Sequence, residues 1–460
     1  MSSIPQARRV NYICIAAALG GLLFGFDTAV ISGAESFLKT QFQLSTTMEG
    51  WLVSCGLLGC IIGVFATGAI SDRIGRKKTI LIAAVVFLAS GIGCAFAPSL
   101  NVLIVSRLLG GVGVGMASVI SPMYIAEFAP AAKRGQMVAY YQMAITVGIL
   151  LAYLSNALVL QVAKQDTGSG AFHWLFSTEA WRAMFLIMCV PSLCFLLALW
   201  TVPESPRWLV SVNKSHEAAR ILNFIRTPEE ADKELSDISK AKKRSSSTSL
   251  FPIEKALRVP LLIGVVLAVL QQFSGINAII YYGPRIFETV GIPSSNALLF
   301  QVIIGAINVI FTLVAISYAD KYGRKSLLKY GLTGIVLSLI SCGLLFYTGN
   351  TQGYLLLVLI LVYIACFAFS VGPVTWIIIN EIFPTNVRVK AVSLCTLALW
   401  GAVWMVGQFF PWLLDKAGAA ITFWAFAAFS LINFIFSLTV VKETNGKTLE
   451  EMDEVYIAPH

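Results

Sequence analysis

Residues 72–78 read D-R-I-G-R-K-K, and residues 320–326 read D-K-Y-G-R-K-S. The second string repeats the first, and each lies between apolar runs of membrane-crossing length. A second pair recurs in the same order: E-F-A-P-A-A-K-R at 127–134 and E-I-F-P-T-N-V-R at 381–388. The offsets are 248 and 254 positions, so the chain carries two related halves. Anchoring charge at helix ends would explain the lysines and arginines. It would not explain an acid–Gly–Arg order that occurs twice.

Around these strings the chain is apolar. Of its 460 residues, 57% are hydrophobic and 12% charged, with a mean hydropathy of +0.79; soluble domains carry roughly 25% charged residues. A span needs about 20 mostly apolar residues. Twelve read at 12–33, 50–71, 79–97, 102–126, 137–160, 182–202, 259–286, 296–318, 327–348, 354–380, 391–413 and 421–441. The expected fold is all-α and integral to a membrane, with twelve transmembrane helices in two pseudo-symmetric six-helix bundles, 1–203 and 259–441. Between them, 204–258 predicts a small cytoplasmic helical element followed by a flexible linker, with a loosely ordered tether as the plainer alternative. Residues 442–460 form a tail. No cleavable leader is evident, because the first apolar run is span-length and lacks a small-residue cleavage site.

The net charge of +9 is a topology signal. With the N-terminus inside, 27 of the 33 Lys and Arg fall in inner segments and five in outer ones, as the positive-inside rule requires. Both termini are therefore expected in the cytoplasm, and nucleic acid is not an expected partner. The nine cysteines lie within apolar spans at no metal-ligand spacing and read as packing residues. No metal or cofactor site is expected.

In each D-x-x-G-R string the Gly permits a tight turn. Asp72 and Arg76, and Asp320 and Arg324, are placed to pair across the inner ends of neighbouring helices. Glu127 with Arg134, and Glu381 with Arg388, are expected to clamp spans, as are Glu204 and Arg207 in P-E-S-P-R (203–207). Such pairs would close the inner face and open as the halves rock. Static surface pairs, worth under about 1 kcal/mol each, are the alternative.

One carboxylate sits inside a span. Asp27 lies in A-A-A-L-G-G-L-L-F-G-F-D-T-A-V-I-S-G (16–33), where a charge costs on the order of 2.5–3.5 kcal/mol and marks a functional site by default. Arg107 is its evident partner: each lies six residues in from the outer face, roughly 9 Å at 1.5 Å per residue. Burial favours the protonated acid and a neighbouring guanidinium favours the carboxylate. An acid subject to both changes its proton affinity as the pair opens and closes. A permanent structural salt bridge is the alternative.

Span 7 reads Q-Q-F-S-G-I-N-A-I-I-Y-Y (271–282). On a straight helix, at about 100° per residue, Gln272 and Asn277 stand roughly 140° apart, and Gln271 and Tyr281 roughly 80° apart. A helix broken near Gly275 and Gly283–Pro284 would converge them on a cavity, where irregular backbone is tolerated. A charge-free set of amides suits an uncharged polyhydroxylated solute. Gln142, Asn308, Trp376 and Trp400 are further candidates, since an indole face stacks on a sugar ring. For each of these alone, glue between helices or packing is the alternative.

The duplicated loops resemble the signature of the major facilitator superfamily. With P-E-S-P-R after the sixth span and K-E-T-N-G-K-T-L-E-E (442–451) after the twelfth, the chain resembles the sugar porter family within it, most of all the bacterial pentose– and hexose–proton symporters. K-E-T stands where that family usually shows P-E-T. The resemblance implies the major facilitator fold and no enzymatic activity. It implies symport of a neutral monosaccharide with a proton by alternating access in a cell membrane, by a functional monomer. It implies sugar contacts at Gln142, Gln271, Gln272, Asn277, Tyr281, Asn308, Trp376 and Trp400. Related proton symporters carry Asp and Arg at the positions of Asp27 and Arg107, and animal facilitators carry Asn in place of the Asp. Asp27 is thus expected to take a proton from outside, release Arg107 and pass the proton inward. A uniporter, and a transporter-like sensor, are the other readings.

G-G-V-G-V-G (110–115) superficially resembles a nucleotide-binding loop but lies inside a span with no strand before it. Close helix packing at Gly111 and Gly115 is expected instead.

Overall fold

The computed structural model describes residues 6–130, 133–166, 168–244, 257–351, 354–383 and 387–443, without the side chains of 241–244, 319, 320, 388 and 389. Asp320 and Arg388 therefore have no described side chain. The expected flexible linker falls largely on 245–256, and most of the tail on 444–460, outside the described residues.

Among the described residues, twelve helices are long and apolar enough to cross a membrane: Gln6–Phe42, Thr46–Ile74, Arg76–Ala95, Leu100–Phe128, Arg134–Gln165, Ala180–Thr201, Arg258–Glu288, Ser294–Tyr318, Arg324–Thr348, Leu355–Glu381, Lys390–Lys416 and Gly418–Thr439. They are spans 1 to 12 below. Several run past their apolar cores. Span 1 has 37 residues, about 55 Å at 1.5 Å each, against a hydrocarbon core of ≈ 30 Å. Hydropathy measures the part in lipid. The backbone ladder continues into water until something stops it, which is why the sequence boundary of 12–33 is shorter than the helix. Many large apolar side chains point out of the fold, Phe65, Leu158, Trp200 and Leu337 among them, a surface that lipid rather than water solvates.

Spans 3 and 9 both begin at a glycine turn. Gly75 and Gly323 precede their arginines with φ of +99° and +81°, a region a side chain rarely enters. Span 7 is two helices, Arg258–Phe273 and Ile276–Glu288, broken at Gly275 with φ +91°. It is irregular again at Tyr282, two residues before Pro284. Proline has no N–H to give the carbonyl one turn back; here that carbonyl, Ile280 O, accepts from the Tyr153 hydroxyl at 3.1 Å. The break expected near Gly275 and Gly283–Pro284 is present. Gly115 packs directly against the backbone of Cys60, where no side chain would fit, so this glycine serves the contact of spans 2 and 4.

After span 6 come three short helices, Pro206–Ser211, Ser215–Ile225 and Pro228–Arg244. Ser205 caps the first by accepting from Trp208 N. Thr227 and Glu230 exchange bonds at 3.2 and 3.4 Å at the start of the third, a reciprocal cap. Leu209, Val210 and Ala218 form their core, with Trp208, Ile221, Leu235 and Ile238 packed on it.

The chain forms two compact units. One holds Met1–Thr28, Leu58–Ala152 and Arg182–Thr248; the other holds Ala29–Leu57, Tyr153–Trp181 and Ser249–His460.

Candidate functional site

In the first unit, Asp27 on span 1 and Arg107 on span 4 are both buried and interact electrostatically, with Cys60 of span 2 in the field of both. The carboxylate lies beside Gly110, one helical turn from Arg107: a β-carbon there would sit 3.5 Å from Asp27 Oδ1. The Arg107 guanidinium carbon is 5.7 Å from the centroid of the Phe185 ring. The arrangement is an acid and a base enclosed by apolar and small residues. Gln142 lies in the same unit, half-buried on span 5.

One end of this unit gathers the first repeat. Arg76 pairs with Asp72 at 2.9 Å and with Glu127 at 3.5 Å. Glu204 accepts from the backbone N–H groups of Arg76 and Lys77, both at 3.0 Å. The Ser205 hydroxyl donates to Glu127. This corrects the expected pairing of Glu127 with Arg134. The Arg134 Nε instead donates to the Ala126 carbonyl at 3.1 Å. Proximity in sequence suggested the partner, but the turn at Gly75 delivers a closer cation from another helix. Arg207 is exposed.

The second unit repeats this arrangement. Arg324 pairs with Glu381 at 3.1 Å, and Glu443 accepts from the backbone N–H groups of Arg324 and Lys325 at 2.9 and 3.0 Å. Glu443 is the acid of K-E-T, so the departure from P-E-T leaves the functional group in place.

The same unit holds the other seven polar candidates. The break at Gly275 brings Asn277 Nδ2 to 2.6 Å from Gln272 Oε1, and Gln272 Nε2 lies 3.3 Å from Gln271 Oε1. Side chains that one continuous helix would separate thus form a chain of amides. Gln271 also donates to the carbonyls of Val371 and Gly372 at 2.9 and 3.0 Å, where span 10 passes through a wide π turn, Phe367–Val371. Tyr281, Asn308 and Trp400 are buried and Trp376 is half-buried. Among the described residues, no direct hydrogen bond joins the amide chain to Asn308 or Trp376.

One cluster escaped the sequence reading. Glu35 of span 1 and Glu49 of span 2 are fully buried carboxylates that converge on Arg285 of span 7, Glu49 in contact and Glu35 at 3.7 Å. Lys39 reaches Glu49 at 3.0 Å, and Ser36 donates to Glu288 at 3.0 Å. Nearby, Ser54 donates to Gln408 at 2.7 Å, and the Tyr282 hydroxyl to the Gly407 carbonyl at 2.8 Å. The available signal was that Glu35 and Glu49 lie within two residues of apolar runs. Boundaries drawn by hydropathy put them in loops.

The chain is similar to known proteins over nearly its whole length. The family model described as "Sugar (and other) transporter" matches residues 13–456. The chain is 42% identical to the arabinose-proton symporter of Bacillus subtilis, over 97% of this chain and 95% of that one. It is 39% identical to the D-xylose-proton symporter of Escherichia coli K12, over 96% and 95%. The inward-open structure of the Escherichia coli xylose transporter superposes with a TM-score of 0.84 at 37% identity, covering 97% of this chain and all of that one.

Proposed function

This chain belongs to the sugar transporter family of the major facilitator superfamily, and from that premise we propose that it carries a neutral monosaccharide together with a proton by alternating access. It is a multi-pass membrane protein and a carrier rather than an enzyme. The observation that carries the reading is the buried acid of Asp27 within the field of Arg107. A uniporter has no need of a titratable acid there, and an ion held in apolar surroundings is costly unless it acts. The named relatives, an arabinose– and a xylose–proton symporter, point the same way.

In this reading Asp27 accepts a proton from outside and Arg107 is freed. The two six-span halves, 1–203 and 259–441, then rearrange with sugar bound. Gln142, Gln271, Gln272, Asn277, Tyr281, Asn308, Trp376 and Trp400 provide the sugar contacts. The amides Gln271, Gln272 and Asn277 match donor to acceptor around hydroxyl groups without offering a charge. The inner clusters built on Arg76 and Arg324 lock that face, with Asp72, Glu127, Arg134, Glu204 and Arg207 in one half and Asp320, Glu381 and Arg388 in the other. Both termini lie in the cytoplasm of a cell membrane, and a single copy transports.

The test is uptake into proteoliposomes over a panel of pentoses, hexoses and polyols, with and without an inward proton gradient. Gradient-driven accumulation of a monosaccharide is expected. In Asp27→Asn, exchange of labelled for unlabelled sugar persists and accumulation is lost. Accumulation retained in that variant would place coupling elsewhere.

A further inference from the structure

Against the three short helices, the first unit holds a half-open cavity of about 1050 Å³. Its apolar walls include the buried side chains of Val10, Met137, Val210 and Ile225. Its charges do not balance. Lys133, Arg134, Arg207, Arg226 and Lys233 line it against Glu230, Glu234 and Asp237. One of the three acids is taken by one of these cations, which leaves four cations facing two acids. Glu234 is paired with Arg226 at 3.0 Å, and Glu230 accepts from the Thr227 backbone at 3.2 Å; Asp237 is exposed. Arg134 stands in the field of the cations Arg207 and Arg226 as well as of the acid Glu234. Among the described residues, no acid lies within ion-pair distance of Lys133, Arg134, Arg207 or Lys233.

Cations gathered around an apolar-walled space repel one another until an anion enters. Arginine forks favour a planar or tetrahedral oxyanion bound through two or more oxygens. The volume lies at the upper end of the range for small-molecule pockets, ~300–1,000 Å³, so the space takes an anion with a body attached. We propose that this cavity binds a phosphate ester, with the phosphate on Arg134, Arg207 and Lys133 and its organic body on the apolar walls. A phosphorylated metabolite and a phospholipid headgroup share this chemistry. The cavity's lining includes neither Asp27 nor any span 7 amide. Its occupant would sit on Arg134 and Arg207, both assigned above to the inner lock, and so bias transport from inside.

The experiment is binding, read without transport. Full-length protein in nanodiscs of zwitterionic lipid is titrated at constant ionic strength with hexose 6-phosphate, inorganic phosphate and, as control, chloride, and thermal unfolding is followed. Saturable stabilisation by hexose 6-phosphate and none by chloride is expected. Lys133→Gln/Lys233→Gln, which alters only exposed lysines, weakens it at least fivefold, and Arg134→Gln more. A second arm repeats the titration in nanodiscs containing phosphatidylglycerol. Competition there assigns the site to a headgroup, and its absence assigns it to a soluble ester. The proposal is overturned if stabilisation follows ionic strength alone, if the double lysine variant binds as the parent does, or if no phosphate compound binds in either lipid. Failure here leaves uptake in the vesicle assay untouched, so the two readings fall separately.

Discussion

Glu443 accepts a hydrogen bond from the backbone N–H of Arg324 at 2.9 Å. One carboxylate thereby caps the start of span 9, since it also takes the N–H of Lys325. Glu204 does the same for span 3 with Arg76 and Lys77. An acid at a helix N-terminus satisfies orphan donors and meets the positive end of the dipole. Removing such a cap costs about 0.5–2 kcal/mol. Glu443→Ala and Glu204→Ala are each expected to destabilise by that order and so to lower the thermal midpoint, with Glu443→Gln falling between parent and Ala. Scanning fluorimetry in detergent checks this.

Gly275 stands at φ +91° with the Phe426 ring against the position a β-carbon would take. Left-handed backbone costs a side chain roughly 1–2 kcal/mol, and the contact adds more. Gly275→Val is expected to lose uptake almost completely and to unfold at lower temperature. Gly275→Ala loses less of both. Uptake normalised to folded protein by size-exclusion yield separates the two effects.

Gln272 and Asn277 are joined at 2.6 Å, so each positions the other. Gln272→Ala and Asn277→Ala each raise the sugar concentration for half-maximal uptake. The double variant falls short of their product, with a coupling of about 0.5–1.5 kcal/mol. Additive effects would mean that the two amides act on sugar independently.

Arg285 holds two carboxylates that water does not reach. Breaking such a group by removing one partner costs about 3–5 kcal/mol, whereas replacing partners together by apolar residues is often neutral. Arg285→Met is expected to destabilise strongly, and Arg285→Met with Glu49→Leu and Glu35→Leu to recover most of the loss. Thermal midpoints of the series are the measurement.

Asp166, just past the end of span 5, accepts from Ser177 at 2.6 Å and from the Gly168 backbone at 2.9 Å, and pairs with His173. The Ser177 bond first, then Gly168 and His173, hold its carboxyl below the usual carboxylate range. For an acid so depressed, the loop's stabilisation is present above the ordinary Asp value and is lost as pH falls through the lowered one. The protection of the Gly168 amide, with the intrinsic pH dependence of exchange divided out, is expected to fall only in that acid window, and Asp166→Asn to abolish that fall.

The twelve spans were legible because lipid imposes one rule on every residue of a helix. The paired turns at Gly75 and Gly323 were legible because D-x-x-G-R occurs twice. Asp27 and Arg107 stood out as charges in apolar runs, and the break in span 7 as Gly275 and Pro284 flanking a polar cluster. What the sequence hid was partnership. Glu127 lies seven residues from Arg134 yet meets Arg76, because pairing follows packing of helices and not spacing along the chain. Glu35 and Glu49 were hidden differently: hydropathy ends a span where apolar residues stop, whereas both helices continue and bury their ends.

The carbonyl of Ile280 receives no hydrogen from Pro284, which has no N–H to give. The phenol of Tyr153 fills that vacancy from span 5. Losing it would leave a buried carbonyl unpaired, at a cost of about 1–3 kcal/mol. The second piece of span 7, Ile276–Glu288, is thus fastened at this point by a neighbouring helix's side chain in place of its own ladder.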